Sequence, residues 1–138
     1  MVMLNKAQQV WDLTDDEFEV VAIPEWKIDG EVVEVRLRGL SGAERDRYEA
    51  SCTRMVKGNP VPDPVNARAR LVAWAAVDEE GNHIFKGQED VLKLGMKNAK
   101  AVNRLWEHGC RLSGIDFDGM QAEEADFKNA QNESSTSD

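Results

Sequence analysis

Trp26-Lys27-Ile28-Asp29-Gly30-Glu31-Val32-Val33-Glu34-Val35-Arg36-Leu37-Arg38, followed at once by Gly39-Leu40-Ser41-Gly42-Ala43-Glu44-Arg45, decides the fold class. Asp29-Gly30 suits a two-residue type I′ turn, because both central residues of that turn need positive φ. After it, Val33, Val35 and Leu37 alternate with Glu34, Arg36 and Arg38. That period of two gives a strand with one dry and one wet face. Ser41 and Glu44 then form a capping box, in which the hydroxyl takes the N3 amide and the carboxylate reaches back to the cap amide. A hairpin running directly into a capped helix predicts an α+β protein: a small N-terminal antiparallel sheet packed on a C-terminal bundle of about four to five helices.

On the N-terminal side, Phe18 to Ile23 reads as a partner strand that Pro24 ends by removing a ladder donor. Met3 to Leu13 has weak periodicity and predicts a short leading helix, with residues 1–15 loosely attached. On the C-terminal side, the capped helix is expected to reach about Lys57, with Tyr48, Cys52, Met55 and Val56 on its apolar face. Gly58 to Pro64 reads as a loop, since three prolines in five residues do not fit a helix. Val65 to Val77 reads as a second long helix. Its Leu71–Val77 run is apolar all round and should be the most buried piece, with the alanines favouring helix over strand. Asp78 to Asn82 is a turn and Ile84-Phe85 an apolar return. Gln88 to Leu94 is a short helix closed by Gly95 at C′. Asn98 caps a third long helix carrying Val102, Leu105, Trp106 and Leu112, which Gly114 ends. Asp118 and Gln121 look like another cap, opening a last helix that buries Met120 and Phe127. Residues 130–138 are polar without periodicity and read as a disordered tail. Residues 1–129 are taken as one domain, which a chain of 138 residues fits.

The net charge is −9, and it is unevenly placed. Residues 1–41 hold nine acids against four bases; residues 115–138 hold seven against one. The middle is slightly basic. Such a balance repels a phosphate backbone, and no basic stripe with interleaved aromatics offsets it, so nucleic-acid binding is disfavoured. Nothing approaches the ~20 apolar residues that span a bilayer. A basic region followed by an apolar run is missing at the N-terminus, so a cytoplasmic site is the default.

The sequence carries no arrangement of residues that fits a known catalytic or metal site. Cys52, His83, His108 and Cys110 are potential soft ligands, but only His108 and Cys110 are close, and His-x-Cys lacks the paired spacing of structural zinc sites. Two thiols in such a chain are expected to be reduced. Asp116-Phe117-Asp118-Gly119 fails as a calcium loop, because Ala125 stands where a Glu is required. Asp78-Glu79-Glu80 reads as a solvated turn rather than an acid–base pair. Arg68 and Arg70 are expected to lay their stems over the core with their heads in water. P-loop, nucleophile-elbow and dinucleotide glycine motifs are absent. No catalytic, cofactor or metal residues are assigned, and the partner-binding residues stay open.

Taken in order, several motifs resemble the tail assembly chaperones of long-tailed (siphovirus-type) bacteriophages and prophages. They are Pro24-Glu25-Trp26 after an acidic strand, the Val35–Arg38 strand, Leu40 to Asp46, Asn66 to Val72, Asp78 to Gly81 with Ile84-Phe85, Leu94-Gly95, Arg111 to Gly114, and Phe127-Lys128-Asn129. The likeness covers roughly residues 15–129, and the long Asp29-Gly30 hairpin departs from it. The resemblance implies a non-enzymatic protein that coats the tape measure protein, keeps its apolar helices soluble and recruits tail tube subunits before leaving. It further implies a longer product made by ribosomal frameshifting, a partner for this one, and work in the bacterial host's cytoplasm rather than in the mature virion. Lys128-Asn129 is a place where an A-rich slippery run would sit. Homo-oligomerisation is left open. The competing readings are a small acidic adaptor or inhibitor of a host protein, and a metal-dependent enzyme needing the two Cys and two His to converge.

Overall fold

Asp29 (φ 52°) and Gly30 (φ 80°) both take the left-handed conformation, and around them the chain folds back as the expected hairpin. The computed structural model describes residues 1–115; the helix and tail expected beyond residue 115 lie outside the described residues. A short helix α1 (Gln8–Trp11) leads to β1 (Phe18–Ile28), β2 (Glu31–Arg38) and α2 (Gly42–Ser51). Then come β3 (Thr53–Val56), β4 (Asn59–Pro62), α3 (Ala67–Ala75), β5 (Ala76–Val77), α4 (Gly87–Gly95) and α5 (Ala99–Leu112). The architecture is α+β: an antiparallel sheet of order β1-β2-β5 with helices on its dry face, and a separate β3-β4 hairpin.

The core follows the period-two pattern. Val21, Ile23, Val35 and Leu37 point inward and are buried, while Phe18 and Val20 face out. α5 lies across β1 and β2 and against α3. It presents Ala101, Val102, Leu105, Trp106, Gly109 and Cys110. The expected cap is present: Asn98 Oδ1 accepts the Lys100 and Ala101 N–H groups. At its other end Gly114 (φ 66°) turns the chain. There Ile115 N–H reaches the Cys110 carbonyl and Gly114 N–H reaches that of Arg111, the paired bonds of a Schellman motif.

The capping box of α2 forms as the sequence implies. Ser41 Oγ accepts the Glu44 N–H at 3.2 Å, and Glu44 Oε1 accepts the Ser41 N–H at 2.9 Å. The junction before it is pinned to the end of α5: Ser113 Oγ accepts the Leu40 N–H at 2.9 Å. Gly39 has room only for hydrogen, because a Cβ there would lie 2.5 Å from the Leu112 carbonyl oxygen. Two motifs that are 73 residues apart in sequence are thus in contact in the fold.

Five expectations are corrected. The leading helix is one turn, Gln8–Trp11, and buries nothing. β1 does not stop at Pro24; pairing lapses after Ile23↔Val33 and resumes at Lys27↔Val32, leaving Pro24, Glu25 and Trp26 as a bulge that needs no ladder donor. α2 ends at Ser51, and the next residues form the β3-β4 hairpin, so Met55 and Val56 are exposed on strands rather than packed under a helix. Lys57 (φ 52°) and Gly58 (φ 81°) make its turn. Val56 pairs with Asn59 beside the turn, so Pro60 and Pro62 fall on alternate, non-hydrogen-bonded positions where a missing N–H costs nothing. α3 stops at Ala75, and the buried Ala76-Val77 add a third strand against Leu37 and Arg36. Gly95 is not a C′ residue but the last residue of α4, held against Asn66, whose Oδ1 would lie 2.1 Å from a Cβ there.

Candidate binding surface

The residues weighed for chemistry do not converge. Among the described residues, no group of three or more His, Cys, Asp or Glu side chains is placed to hold a metal ion. Cys110 is buried, and burial pushes its thiol up to about 12, so it stays protonated at neutral pH. Cys52 is half-buried beside Tyr48. Tyr48 is fully buried and donates its hydroxyl to the Ala67 carbonyl at 3.0 Å; burial, then the neighbouring Cys52, raise its pKa. His108 lies instead on the sheet side, with Nδ1 2.7 Å from Glu19 and 3.0 Å from Arg111 Nη2. His83 bridges to Val77 and packs edge-on against Trp74, ring centroids 6.0 Å apart. Asp78 is exposed and its carboxylate accepts the Glu80 and Asn82 N–H groups, as a turn residue does.

Two arginines depart from the reading that leaves their heads in water. Arg70 donates to the Val65 and Asp63 carbonyls, tying the β4-α3 connection to the helix. The Arg68 guanidinium stands 4.6 Å from the Trp106 ring centroid, a cation–π arrangement.

What the fold does display is apolar surface. Trp11 and Leu13 stand out from the N-terminal segment, Ile28 and Val32 from the tip of the first hairpin, Met55 from the second, and Leu92 and Met96 from α4. Phe18 and Val20 lie on the open face of the sheet, with the Arg36 guanidinium 4.4 Å over Phe18.

The bulge at Pro24–Trp26 lines one recess. It opens a groove of 570 Å³ between the β1-β2 hairpin and α4, with Trp26, Ile28, Val33, Phe85 and Leu94 as apolar walls. Glu25 is turned toward α5, where Arg104 Nη2 donates to its Oε1 at 3.0 Å, and Arg104 holds its carboxylate below the usual range. Asp90, on the other wall, accepts the Lys86 N–H at 2.7 Å. Lys27, Lys93 and Lys97 stand at the rim. A second recess of 410 Å³ shares Phe85 and continues to Trp74 and His83. The sequence concealed this surface because Pro24 reads as a strand end, and a bulge has no distinct residue signature at that position.

No protein family, curated protein or solved structure matches this chain. No helix among the described residues is long and apolar enough to cross a membrane.

Proposed function

We propose that this protein is a tail assembly chaperone of a long-tailed bacteriophage or prophage. It binds the tape measure protein, holds that protein's apolar helices in solution and recruits tail tube subunits in the host cytoplasm, alongside a longer frameshifted form of itself. It works by binding rather than catalysis. The observation that carries the reading is apolar surface offered on an acidic exterior: Trp11, Ile28, Val32, Met55 and Met96 are open to solvent on a chain of net charge −9. Apolar side chains left open to solvent are available to a protein partner, and excess like charge keeps a loaded complex from aggregating.

Four of the ordered motifs give further support, because they fall at structural joints. Leu40 to Asp46 is the capped entry to α2, Asp78 to Gly81 the turn after β5, Leu94-Gly95 the end of α4, and Arg111 to Gly114 the close of α5. Co-expression of the tagged protein with a phage tape measure protein tests the reading. Co-purification of the two is the expected outcome. Failure to co-purify, with capture of a host protein instead, would favour the adaptor reading.

A further inference from the structure

We propose that the groove between the β1-β2 hairpin and α4 is the client seat, and that its occupant is an amphipathic helix with acidic flanks. The inference rests on the chaperone reading and names the partner chemistry of that surface. The volume of 570 Å³ lies in the range that buries a compact apolar ligand group. Trp26 and Leu94 form the floor, and Ile28, 67% exposed, stands at the lip.

Charge complementarity selects the occupant. Of the lining carboxylates, Glu25 is ion-paired with Arg104, while Asp90 accepts the Lys86 N–H and keeps its charge on the α4 wall. Of the rim lysines, Lys93 is paired to Glu89 at 3.0 Å. The Lys27 and Lys97 ammonium groups make no hydrogen bond or ion pair among the described residues. Two free ammonium groups against the one Asp90 carboxylate leave the groove a net positive charge on a chain whose total is −9. A helix laid along α4 would seat apolar residues at i, i+3 or i+4, and i+7 on the walls, and place acids on either flank against the two lysines. A basic amphipathic helix would fit the walls equally well but meet like charge at the rim.

Fluorescence anisotropy with the full chain tests this, using three labelled synthetic peptides that share one leucine stripe. One carries Glu on its flanks, one carries Lys, and the third is the Glu peptide with a central Pro that breaks the helix. The Glu peptide should bind at least about tenfold more tightly than either of the others, a gap that shrinks as added salt screens the rim. Ile28→Glu should weaken it by about tenfold or more, and so should the double reversal Lys27→Glu with Lys97→Glu, which alters only the charge of the rim. Equal binding of the Glu and Lys peptides, undiminished binding of the Pro peptide, or two variants with wild-type affinity would each overturn the proposal. If the peptide binds as described while co-expression fails, the groove stands and the tail-chaperone reading falls. Co-purification that both variants leave intact, with no peptide binding, has the opposite consequence.

Discussion

Replacing Gly39 by Ala puts a methyl group where the fold has space for a hydrogen. The new Cβ would lie 2.5 Å from the Leu112 carbonyl oxygen and 3.1 Å from its carbon. Neither atom can swing away as a side chain would, because both belong to the last turn of α5. That turn is fixed by the Ser113–Leu40 bond and the paired bonds around Gly114. Overpacking of this kind costs about 1–3 kcal/mol, and more where backbone must move. Ala also restricts the unfolded chain, which returns about 0.4–1 kcal/mol. The net expectation is a loss of about 1–2 kcal/mol, a drop of several degrees in Tm. Gly42→Ala is the internal control three residues on: it opens α2, a Cβ there meets nothing within 4 Å, and its φ is not positive. That variant should be neutral or gain a few tenths of a kcal/mol. Urea denaturation at constant m-value reads both. A Gly39→Ala protein as stable as Gly42→Ala would refute the close approach between the β2-α2 junction and α5.

Other consequences can be measured alongside it. Glu25 is held below the ordinary 4.5 first by its bonds from Arg104; for Glu44 burial pushes upward, but the Ser41 N–H and Arg38 outweigh it. Depressed carboxylates contribute stability that is complete above 4.5 and disappears as pH falls through their lower folded-state values. Glu25→Gln should thus lower stability at neutral pH and flatten the acid limb of a stability–pH curve; an unchanged acid limb contradicts the Arg104 contact. Iodoacetamide at mildly alkaline pH should leave Cys110 unmodified in the native protein and label it only in denaturant, because the thiol is buried and its pKa raised to about 12. Peptide mass mapping checks this, and native labelling of Cys110 would refute the packing around α5.

Much of the fold was legible where one residue type has one physical use. Asp29-Gly30 accepts positive φ, Ser41 with Glu44 closes a box, and Asn98 caps α5; each appears where the residues place it. The misreadings arose where a residue type has two uses. Pro24 reads locally as a terminator but occupies a bulge, and Pro60 and Pro62 read as loop but stand on non-hydrogen-bonded positions of a two-stranded hairpin. Lys57 adopts the left-handed conformation of a turn that favours Asn, Asp or Gly, so nothing local marks the β3-β4 hairpin. Gly95 resembled a helix stop but answers to Asn66, a partner 29 positions away that no local pattern reveals. The groove is a product of these long-range choices. Its lysines and aromatics are ordinary surface and core residues until the bulge brings Trp26 opposite Leu94.

The central claim, that this chain shields an apolar helical client, is tested most directly by light scattering. A phage tape measure protein, the proposed client, is diluted from urea into buffer with and without a stoichiometric amount of this protein. Suppressed scattering, with the two proteins eluting together afterwards, is the expected result. Scattering that proceeds unchanged, with this protein eluting alone, contradicts the account.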